Sequence, residues 1–361
     1  MSPRTGSLRA AGEPTILAVE TSCDETGVAV VAGGRRILSN VVATQVAVHA
    51  ATGGIVPEVA ARAQLRWIVP VFERALEESG ARWEDLDGIA VTYGPGLAGS
   101  LLVGINVAKA VAYVHALPLV PVNHLEGHLY AAWLLDPDEP ERPEPDFPLI
   151  ALIVSGGHTF LVEMLDHLTY RFLGGTADDA AGEAFDKVGR LLGLGYPGGP
   201  AIEAAARLAS GPGVAFPRAW LGDSFDFSFS GLKTAARRAV EASRTDAGLG
   251  PDEPLPEQLL ASLARGFQDA VVDVLATKAL RAAVECGAGT IVVGGGVAAN
   301  GPLRRRLERD TADAGIRLVV PRPGLCTDNG AMVAAAGTRR YLAGARAGLE
   351  LDARPSLPLA S

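Results

Sequence analysis

Hydrophobic positions along the chain occur in short runs separated by polar turns, and two of these turns share one design. Near the N-terminus, from Thr15, the runs ILAV and VAVV flank the acidic, hydroxyl-rich turn ETSCDETG. From Phe147, the runs LIALIV and FLVEM flank the turn SGGHT. Two apolar runs around a short polar turn predict a β-hairpin. The same unit roughly half a chain apart predicts an internal duplication.

Between the hairpins, apolar segments typical of strands alternate with segments that have helical periodicity. IAVTY predicts a strand, a helix follows from Leu101 to Leu117, PLVPV predicts a second strand, and a second helix carries His124 and His128. Such alternation predicts an α/β fold with parallel strands. The acidic, proline-rich stretch 136–147 is the expected boundary between two halves.

The second half repeats this alternation. Helices are predicted at 180–193, from Ala201 and over the long apolar stretch 259–285, with strands at FDFSFS (225–230) and TIVVG. A last apolar helix follows Asp328 and Asn329, both of which are good N-capping residues. Two hairpin-initiated halves with glycine-rich turns are typical of the actin-like ATPase fold of actin, sugar kinases and Hsp70. Its two duplicated lobes surround a nucleotide cleft, where glycine-turn amides meet the phosphates.

This pattern divides the 361 residues into two lobes with flanking segments. The expected division is a disordered tail 1–14, an N-terminal lobe 15–135 with the histidine pair, a linker 136–147, a C-terminal lobe 148–343 with the nucleotide-binding turns, and a C-terminal tail 344–361. Apolar residues at 48% exclude a disordered chain. The longest apolar runs are too short to cross a bilayer, and the N-terminus lacks the apolar core of a signal peptide.

Cysteine usage and charge narrow the class further. Three cysteines without CxxC spacing indicate a reduced, cytoplasmic chain. The net charge of −9 argues against a broad nucleic-acid-binding surface made by this chain alone. Arg304, Arg305, Arg306 and Arg309 form one basic cluster, which is either a local nucleic-acid contact or a solvated helix face.

The pair His124 and His128 is the strongest candidate for metal chemistry. The i, i+4 spacing puts both imidazoles on one helical face. Zinc proteases require HExxH or HxxEH, whereas here Glu126 stands third and points about 200° away from His124. A protease is therefore excluded, while a chance pair stays open. Asp328 is the best candidate for a third ligand, and two histidines with one aspartate suit iron(II) or zinc.

Glycine turns and acidic residues supply the candidates for ligand binding. IVSGGHT presents successive amides that suit an anion, although a plain hairpin loop has the same sequence. VVGGGVAANGPLR allows a ligand to approach the backbone, with Asn300 as a hydrogen-bonding group. Asp186 and Glu203 near a glycine turn are either ribose acceptors or members of a solvated helix face. Asp24 is either part of a hairpin tip or a group that positions the attacking atom. GxxxxGK[ST] is absent, so a P-loop is excluded.

The motifs together resemble the tRNA N6-adenosine threonylcarbamoyltransferase family (TsaD), once described as O-sialoglycoprotein endopeptidases. The matching strings include ETSCDETGVAV, GGIVPEVAARAQ, YGPGLAGSLLVG, VNHLEGH, LIVSGGHT, GEAFDKVGRLLGLGYPGGP, FSFSGLKTA, VVGGGVAANGPLR and CTDNGAMVA. They extend from Ile16 to about Gly337. One departure is Asn123, where relatives often carry another histidine.

The resemblance implies a reaction and a site. The threonylcarbamoyl group of threonylcarbamoyl-AMP passes to the N6 amine of the adenosine 3′-adjacent to the anticodon, in tRNAs that read codons beginning with A. A divalent metal, iron(II) with zinc as the alternative, is held by His124, His128 and Asp328. We expect Asp24 to orient the attacking amine. The implied substrate and nucleotide site comprises Ile153, Val154, Ser155, Gly156, Gly157, Asp186, Gly199, Glu203 and Asn300.

The resemblance also implies partners. Bacterial relatives act with a paralogous inactive subunit (TsaB) and a small P-loop ATPase (TsaE), which leads us to expect tRNA and both proteins as partners and no membrane. The alternative is a nucleotide-dependent kinase or ATPase on the same fold. It is disfavoured because a histidine pair with a distant aspartate has no role in phosphoryl transfer, which uses magnesium held by carboxylates and water.

Overall fold

The computed structural model describes residues 13–52, 54–250 and 253–359, so most of the predicted N-terminal tail lies outside the described residues. The described chain forms two compact units. The first combines residues 13–144 with residues 328–359, and the second is Pro145–Thr327. The change of unit at Pro145 falls within the predicted linker.

The first unit is built on a five-stranded mixed sheet. Its strands are β1 (Thr15–Glu20), β2 (Glu25–Ala32), β3 (Arg36–Thr44), β4 (Gly88–Gly94) and β5 (Leu119–Asn123). Their order is β3-β2-β1-β4-β5, with β2 antiparallel to both neighbours and β4 parallel to β1 and β5. The helices are α1 (Val46–Thr52), α2 (Pro57–Ser79), α3 (Ala98–His115), α4 (His124–Tyr130) and α11 (Gly330–Leu342).

The second unit repeats this architecture. Its strands are β6 (Leu149–Val154), β7 (Thr159–Asp166), β8 (Thr169–Gly175), β9 (Thr290–Gly294) and β10 (Arg317–Val319), in the order β10-β9-β6-β7-β8. Strand directions match those of the first sheet. The helices are α5 (Ala181–Leu191), α6 (Gly198–Ala206), α7 (Ser230–Asp246), α8 (Glu257–Cys286), α9 (Gly301–Asp313) and α10 (Pro323–Cys326). Both hairpins and the internal repeat are therefore as predicted.

The C-terminal helix α11 belongs to the first unit, which differs from the predicted lobe 148–343. Small residues explain its position against β1, β2 and β4. A Cβ on Gly330 would lie 2.5 Å from the amide nitrogen of Ala29, and one on Gly337 would lie 2.6 Å from Cβ of Ala90. Only glycine permits so close an approach of helix and sheet. The chain thus returns to the first unit at Asp328.

The predicted strand FDFSFS is wrong. Only Phe227 pairs with a neighbouring segment, as a single bridge to Thr176. Phe227 and Phe229 are both buried and their rings stack at a centroid distance of 6.3 Å, which explains the alternation without a strand. Asp178 accepts hydrogen bonds from the Ser228 hydroxyl at 2.6 Å and from the Phe229 amide at 2.8 Å. The motif is an irregular segment held by one carboxylate.

Among the described residues, α3 alone is long and apolar enough to cross a membrane. Leu101, Ile105 and Ala108 on this helix are completely buried in the core of the first unit. Packing against the sheet accounts for the apolar residues on the buried face of α3, while Tyr113 and Val114 on the same helix are exposed.

Candidate functional site

The two histidines lie on α4, which begins directly at the carboxyl end of β5. Asn123 caps this helix, because its side-chain Oδ1 accepts a hydrogen bond from the Leu125 amide at 2.9 Å. His124 and His128 are both buried. Their ring centroids are 4.7 Å apart and their planes are nearly perpendicular. The i, i+4 spacing thus brings both imidazoles to one point, as predicted.

Asp328, which directly precedes the N-cap residue of α11, completes the cluster. The cap itself is Asn329, whose Oδ1 accepts from the Met332 amide at 3.0 Å. Oδ1 of Asp328 lies 3.2 Å from Nε2 of His128 and 3.6 Å from Nε2 of His124. The three ligand atoms all lie within 4.8 Å of one another. The grouping is as predicted, but all three residues belong to the first unit and not to opposite lobes.

Glu20 orients His124 and was not found from the sequence. Its Oε2 lies 3.2 Å from Nδ1 of His124, and the Ser22 hydroxyl lies 3.1 Å from the same nitrogen. Glu20 is held in turn by the Thr92 hydroxyl at 2.6 Å and the Ser22 amide at 2.5 Å. A carboxylate on one ring nitrogen typically directs the other toward a metal. The available signal was a glutamate ending a buried strand.

The electrostatics of this cluster favour a cation. Burial disfavours a charged His124, but the carboxylates of Asp328 and Glu20 outweigh it and raise the pKa of His124 to about 9. Burial raises the pKa of Asp24, and the negative charge of Asp328 raises it further. Burial also raises the pKa of Glu25, to about 8. A divalent cation bound to this donor set would compensate the same negative charge.

These shifts predict how the stability of the metal-free chain depends on pH. The folded-state pKa of His124, about 9, exceeds its ordinary value of 6.5, so the stabilisation is complete below pH 6.5 and is lost as the pH rises through 9. The raised pKa of Glu25 acts in the same direction between pH 4.5 and 8. We expect the free energy of unfolding, measured with denaturant after chelator treatment, to fall between pH 6.5 and 9. His124→Gln should flatten this dependence, and an equally steep fall in that variant would contradict the assignment.

Glu126 does not take part in the cluster. It is buried and forms a two-point ion pair with Arg340 on α11, with Nη2 of Arg340 at 2.8 Å from Oε1 and Nε contacting Oε2. The side chain therefore joins α4 to α11. This contact agrees with the exclusion of a zinc protease.

The tip of the first hairpin, which carries Asp24, is held by two elements. Gln64 on α2 donates to the carbonyl oxygens of Thr21, Cys23 and Glu25 at 3.3, 2.9 and 3.2 Å. Leu97, after the GPG turn, donates from its amide to the Ser22 carbonyl at 2.7 Å. Burial, with Asp24 and Asp328, raises the pKa of the Cys23 thiol well above its usual range. A raised pKa makes a thiol a poor nucleophile, which argues against nucleophilic catalysis by Cys23.

In the turn SGGHT of the second unit, both glycines are surrounded by open space. Ser155 closes the turn, because its hydroxyl accepts from the His158 amide at 3.1 Å and its amide donates to the His158 carbonyl at 2.7 Å. Gly156 and Gly157 are exposed, neither has a positive φ, and a Cβ on either would meet nothing within 4 Å. Turn geometry therefore does not require these glycines. Ile153 and Val154 are buried strand residues that offer only backbone groups.

Two close approaches surround this turn. The first turn of α5 contacts it, with the Gly182 amide donating to the Ser155 carbonyl at 3.2 Å. A Cβ on Gly182 would lie 2.5 Å from that oxygen. Gly295, at φ 88°, passes so close to β6 that a Cβ would lie 2.4 Å from the Val154 carbonyl oxygen. A helix N-terminus beside open amides is suited to an anion.

The remaining predicted ligand residues form two groups around α6. Nδ2 of Asn300 donates to Oε2 of Glu203 at 3.3 Å, and Oδ1 of Asn300 caps α9 by accepting from Leu303 at 3.0 Å. Oδ1 of Asp186 accepts from the Gly198 amide at 2.7 Å, one residue before Gly199. The structure thus brings Glu203 together with Asn300, and Asp186 to the start of α6.

Three of the four arginines of the basic cluster on α9 have partners within the second unit. Arg304 donates to the carbonyl oxygens of Ala298 at 2.6 Å and Pro321 at 2.7 Å. Arg306 pairs with Asp273 and Asp310, and Arg309 pairs with Asp310. These three arginines contact groups of the second unit, whereas Arg305 is exposed, so most of the cluster is not a free basic patch for nucleic acid.

Comparison with known proteins decides the family. Residues 36–335 match the profile of tRNA N6-adenosine threonylcarbamoyltransferase, TsaD. The chain belongs to the TsaD family. The TsaD of Thermomicrobium roseum is 55% identical over 95% of this chain and 96% of its own length. The TsaD proteins of Symbiobacterium thermophilum and Bacillus cereus are each 50% identical, over 98% and 95% of this chain and 99% and 96% of their own lengths.

Solved structures confirm the predicted fold class. Full-length HypF in the phosphate- and nucleotide-bound form matches with a TM-score of 0.58 at 14% identity, over 91% of this TsaD chain and 46% of HypF. HypF of T. kodakarensis also gives 0.58, at 15% identity over 92% and 48%. This chain spans about half the length of HypF, and the likeness shows the fold alone. It is the actin-like ATPase fold, and His124, His128 and Asp328 form a candidate site within it for one divalent metal ion.

Proposed function

We propose that the chain transfers the threonylcarbamoyl group from threonylcarbamoyl-AMP to the N6 amine of the adenosine 3′-adjacent to the anticodon, in tRNAs that read codons beginning with A. Membership of the TsaD family supports the reaction. The observation that carries the proposal is the convergence of His124, His128 and Asp328 on one point, with Glu20 behind His124.

The reaction needs positioning more than a nucleophile. The donor is a mixed anhydride, so the amine nitrogen bonds to the carbamoyl carbon, the carbon–oxygen bond to phosphate breaks, AMP leaves and the amine loses a proton. A covalent enzyme intermediate is unnecessary, which fits the raised pKa of Cys23. Asp24 is the group that we assign to orient the amine. Its raised pKa brings it closer to the operating pH of a general base.

The metal that we assign to this site is iron(II), with zinc as the alternative. Two imidazoles and one carboxylate are ligands that both ions accept. When bound, such an ion supplies Lewis-acid polarisation and a template for the substrate. The chain contributes two buried histidines and the Glu20 carboxylate that fixes the ring of His124.

The AMP part of the donor is assigned to the second unit. Gly156 and Gly157 present exposed amides beside the N-terminus of the 11-residue helix α5, which suits a phosphate. Glu203 and Asn300 lie together beside α6, and a carboxylate paired with an amide suits ribose hydroxyls. Asp186 and Gly199 at the start of α6 complete the assigned site.

The chain is proposed to act in the cytoplasm with tRNA, a TsaB-type subunit and a TsaE-type ATPase. With a net charge of −9 and with Arg306 and Arg309 of α9 in ion pairs, basic surface for tRNA has to come largely from partners. A protein partner is supported by apolar side chains that α2 and α3 leave exposed, namely Leu65, Trp67, Val69, Tyr113 and Val114.

The test is reconstitution with synthetic threonylcarbamoyl-AMP and unmodified tRNA, with and without the two partner proteins. We expect the modified nucleoside by mass spectrometry, a stoichiometric transition metal in the purified chain, and negligible ATP hydrolysis by the chain alone. Strong ATPase activity without a transition metal would instead favour the kinase-type alternative. If the modified nucleoside forms equally well without either partner protein, the proposed partners are contradicted.

A further inference from the structure

The C-terminal segment, residues 345–359, is attached to the first unit along its course. The Ala347 amide donates to the Leu119 carbonyl at 2.9 Å, where β5 begins. Near the other end of the sheet, the Arg354 amide donates to the Tyr93 carbonyl at 2.7 Å, and Gly96 donates to the Pro355 carbonyl at 3.1 Å. The segment therefore runs from the start of β5 to the carboxyl end of β4.

Packing shows that this segment is part of the fold. Ala347, Leu351 and Ala353 pack against the hydrophobic core of the first unit. A Cβ on Gly94 would lie 2.0 Å from the Arg354 carbonyl oxygen, a distance that no side chain can occupy. Gly94 ends β4 and pairs with Asn123 at the end of the parallel strand β5, so the segment lies at the end of the sheet from which the histidine helix follows.

Asn123 connects this segment to the histidine helix. Asn123 is only 2% exposed, and both ends of its side-chain amide form hydrogen bonds. Oδ1 accepts from the Leu125 amide at 2.9 Å and so caps α4, while Nδ2 donates to the Pro358 carbonyl at 2.8 Å. One side chain therefore holds the first turn of α4, which carries His124, and the end of the C-terminal segment.

We propose that Asn123 is a positioning residue through which the C-terminal segment orders the metal ligands, an inference that rests on the proposed metal site. A seven-residue helix has little intrinsic stability, so its first turn depends on its cap and on tertiary contacts. Fixing the Asn123 amide at Pro358 fixes the cap. His124 directly follows this cap residue. When the cap is ordered, the imidazole of His124 is held within the positional tolerance that a metal site requires.

Asn123→Asp removes one of the two hydrogen bonds and keeps the other. An aspartate retains an acceptor for the Leu125 amide but has no donor for the Pro358 carbonyl. Deletion of residues 358–361 removes the same carbonyl from the other side. Deletion of residues 360–361 alone is the matched control. The affinity of the full-length and variant chains for Zn²⁺ is measured by competition with a chromophoric chelator, and hydrogen exchange of the α4 amides and thermal unfolding are recorded in parallel.

We expect Asn123→Asp and the 358–361 deletion each to weaken Zn²⁺ binding about 10-fold and to speed amide exchange in α4, as loss of outer-sphere partners does in metal sites. Combining them should add nothing, since both remove one bond. Wild-type affinity in both variants would overturn the inference while leaving the metal site intact. Additive effects, or weakened binding with unchanged exchange in α4, would also overturn it. No Zn²⁺ binding by the wild-type chain would overturn the metal site, and the positioning role with it.

Discussion

Replacing both His124 and His128 with alanine should remove the bound metal and reduce the transfer rate by about 100-fold or more, because Lewis-acid stabilisation by a metal is worth several kcal/mol. Both imidazoles direct Nε2 at Asp328, so the double variant leaves one carboxylate where three ligands stood. The effect is measured as metal content by mass spectrometry and as nucleoside formation under single-turnover conditions.

His115→Ala is the control for the histidine double variant. His115 stacks on Trp83 at 3.8 Å in the last turn of α3, away from the ligand cluster, so its loss should leave metal content unchanged. Thermal unfolding of the metal-free forms separates loss of ligands from loss of fold. A double variant that folds, lacks metal and still transfers at the wild-type rate would refute a metal-dependent reaction.

Gly182→Ala should weaken binding of the AMP part of the donor and lower kcat/KM by about 100-fold. The new Cβ would lie 2.5 Å from the Ser155 carbonyl oxygen and 2.8 Å from Cα of Gly156. Either the turn or the start of α5 must move, and displacement of a positioning element by about 1 Å can cost about 100-fold. The measurements are AMP affinity by calorimetry and transfer kinetics at varied donor concentration.

Gly231→Ala is a matched control, because Gly231 is likewise the second residue of a helix, here α7, and its Cβ would meet nothing within 4 Å. Alanine at both positions raises helix propensity by about 1 kcal/mol, so the two variants differ chiefly in the clash. Metal content should be unchanged in both, since the metal ligands belong to the first unit. Normal AMP affinity in folded Gly182→Ala would remove the phosphate assignment of the SGGHT turn.

Local sequence patterns were sufficient to predict most of the strands and helices and part of the candidate site. The hairpins at ETSCDETG and SGGHT follow from apolar runs around short polar turns, and the pairing of His124 with His128 follows from the pitch of a helix. The failure at Phe227 and Phe229 has a local cause too. Alternating aromatic residues also suit an irregular segment that buries two rings, and period alone does not distinguish the two cases.

The outer contacts of the site could not be predicted in the same way. Glu20 reaches His124 across 104 residues of chain, and Arg340 reaches Glu126 across 214. Arg304 and Arg306 of α9 were candidates for a tRNA contact until their carbonyl and carboxylate partners were known. Each of these pairs depends on which helix packs on which strand, and composition carries no record of that choice.

From sequence alone came the fold class, the family and the three candidate ligands, because short-range periodicity and ordered motifs encode them. Tertiary structure alone placed Asp328 in the first unit, Glu20 behind His124 and the C-terminal segment against Asn123. The reason is that small residues along α11 and at Gly94 allow backbones to meet at distances that a Cβ would forbid. Such close approaches bring together residues that are hundreds of positions apart.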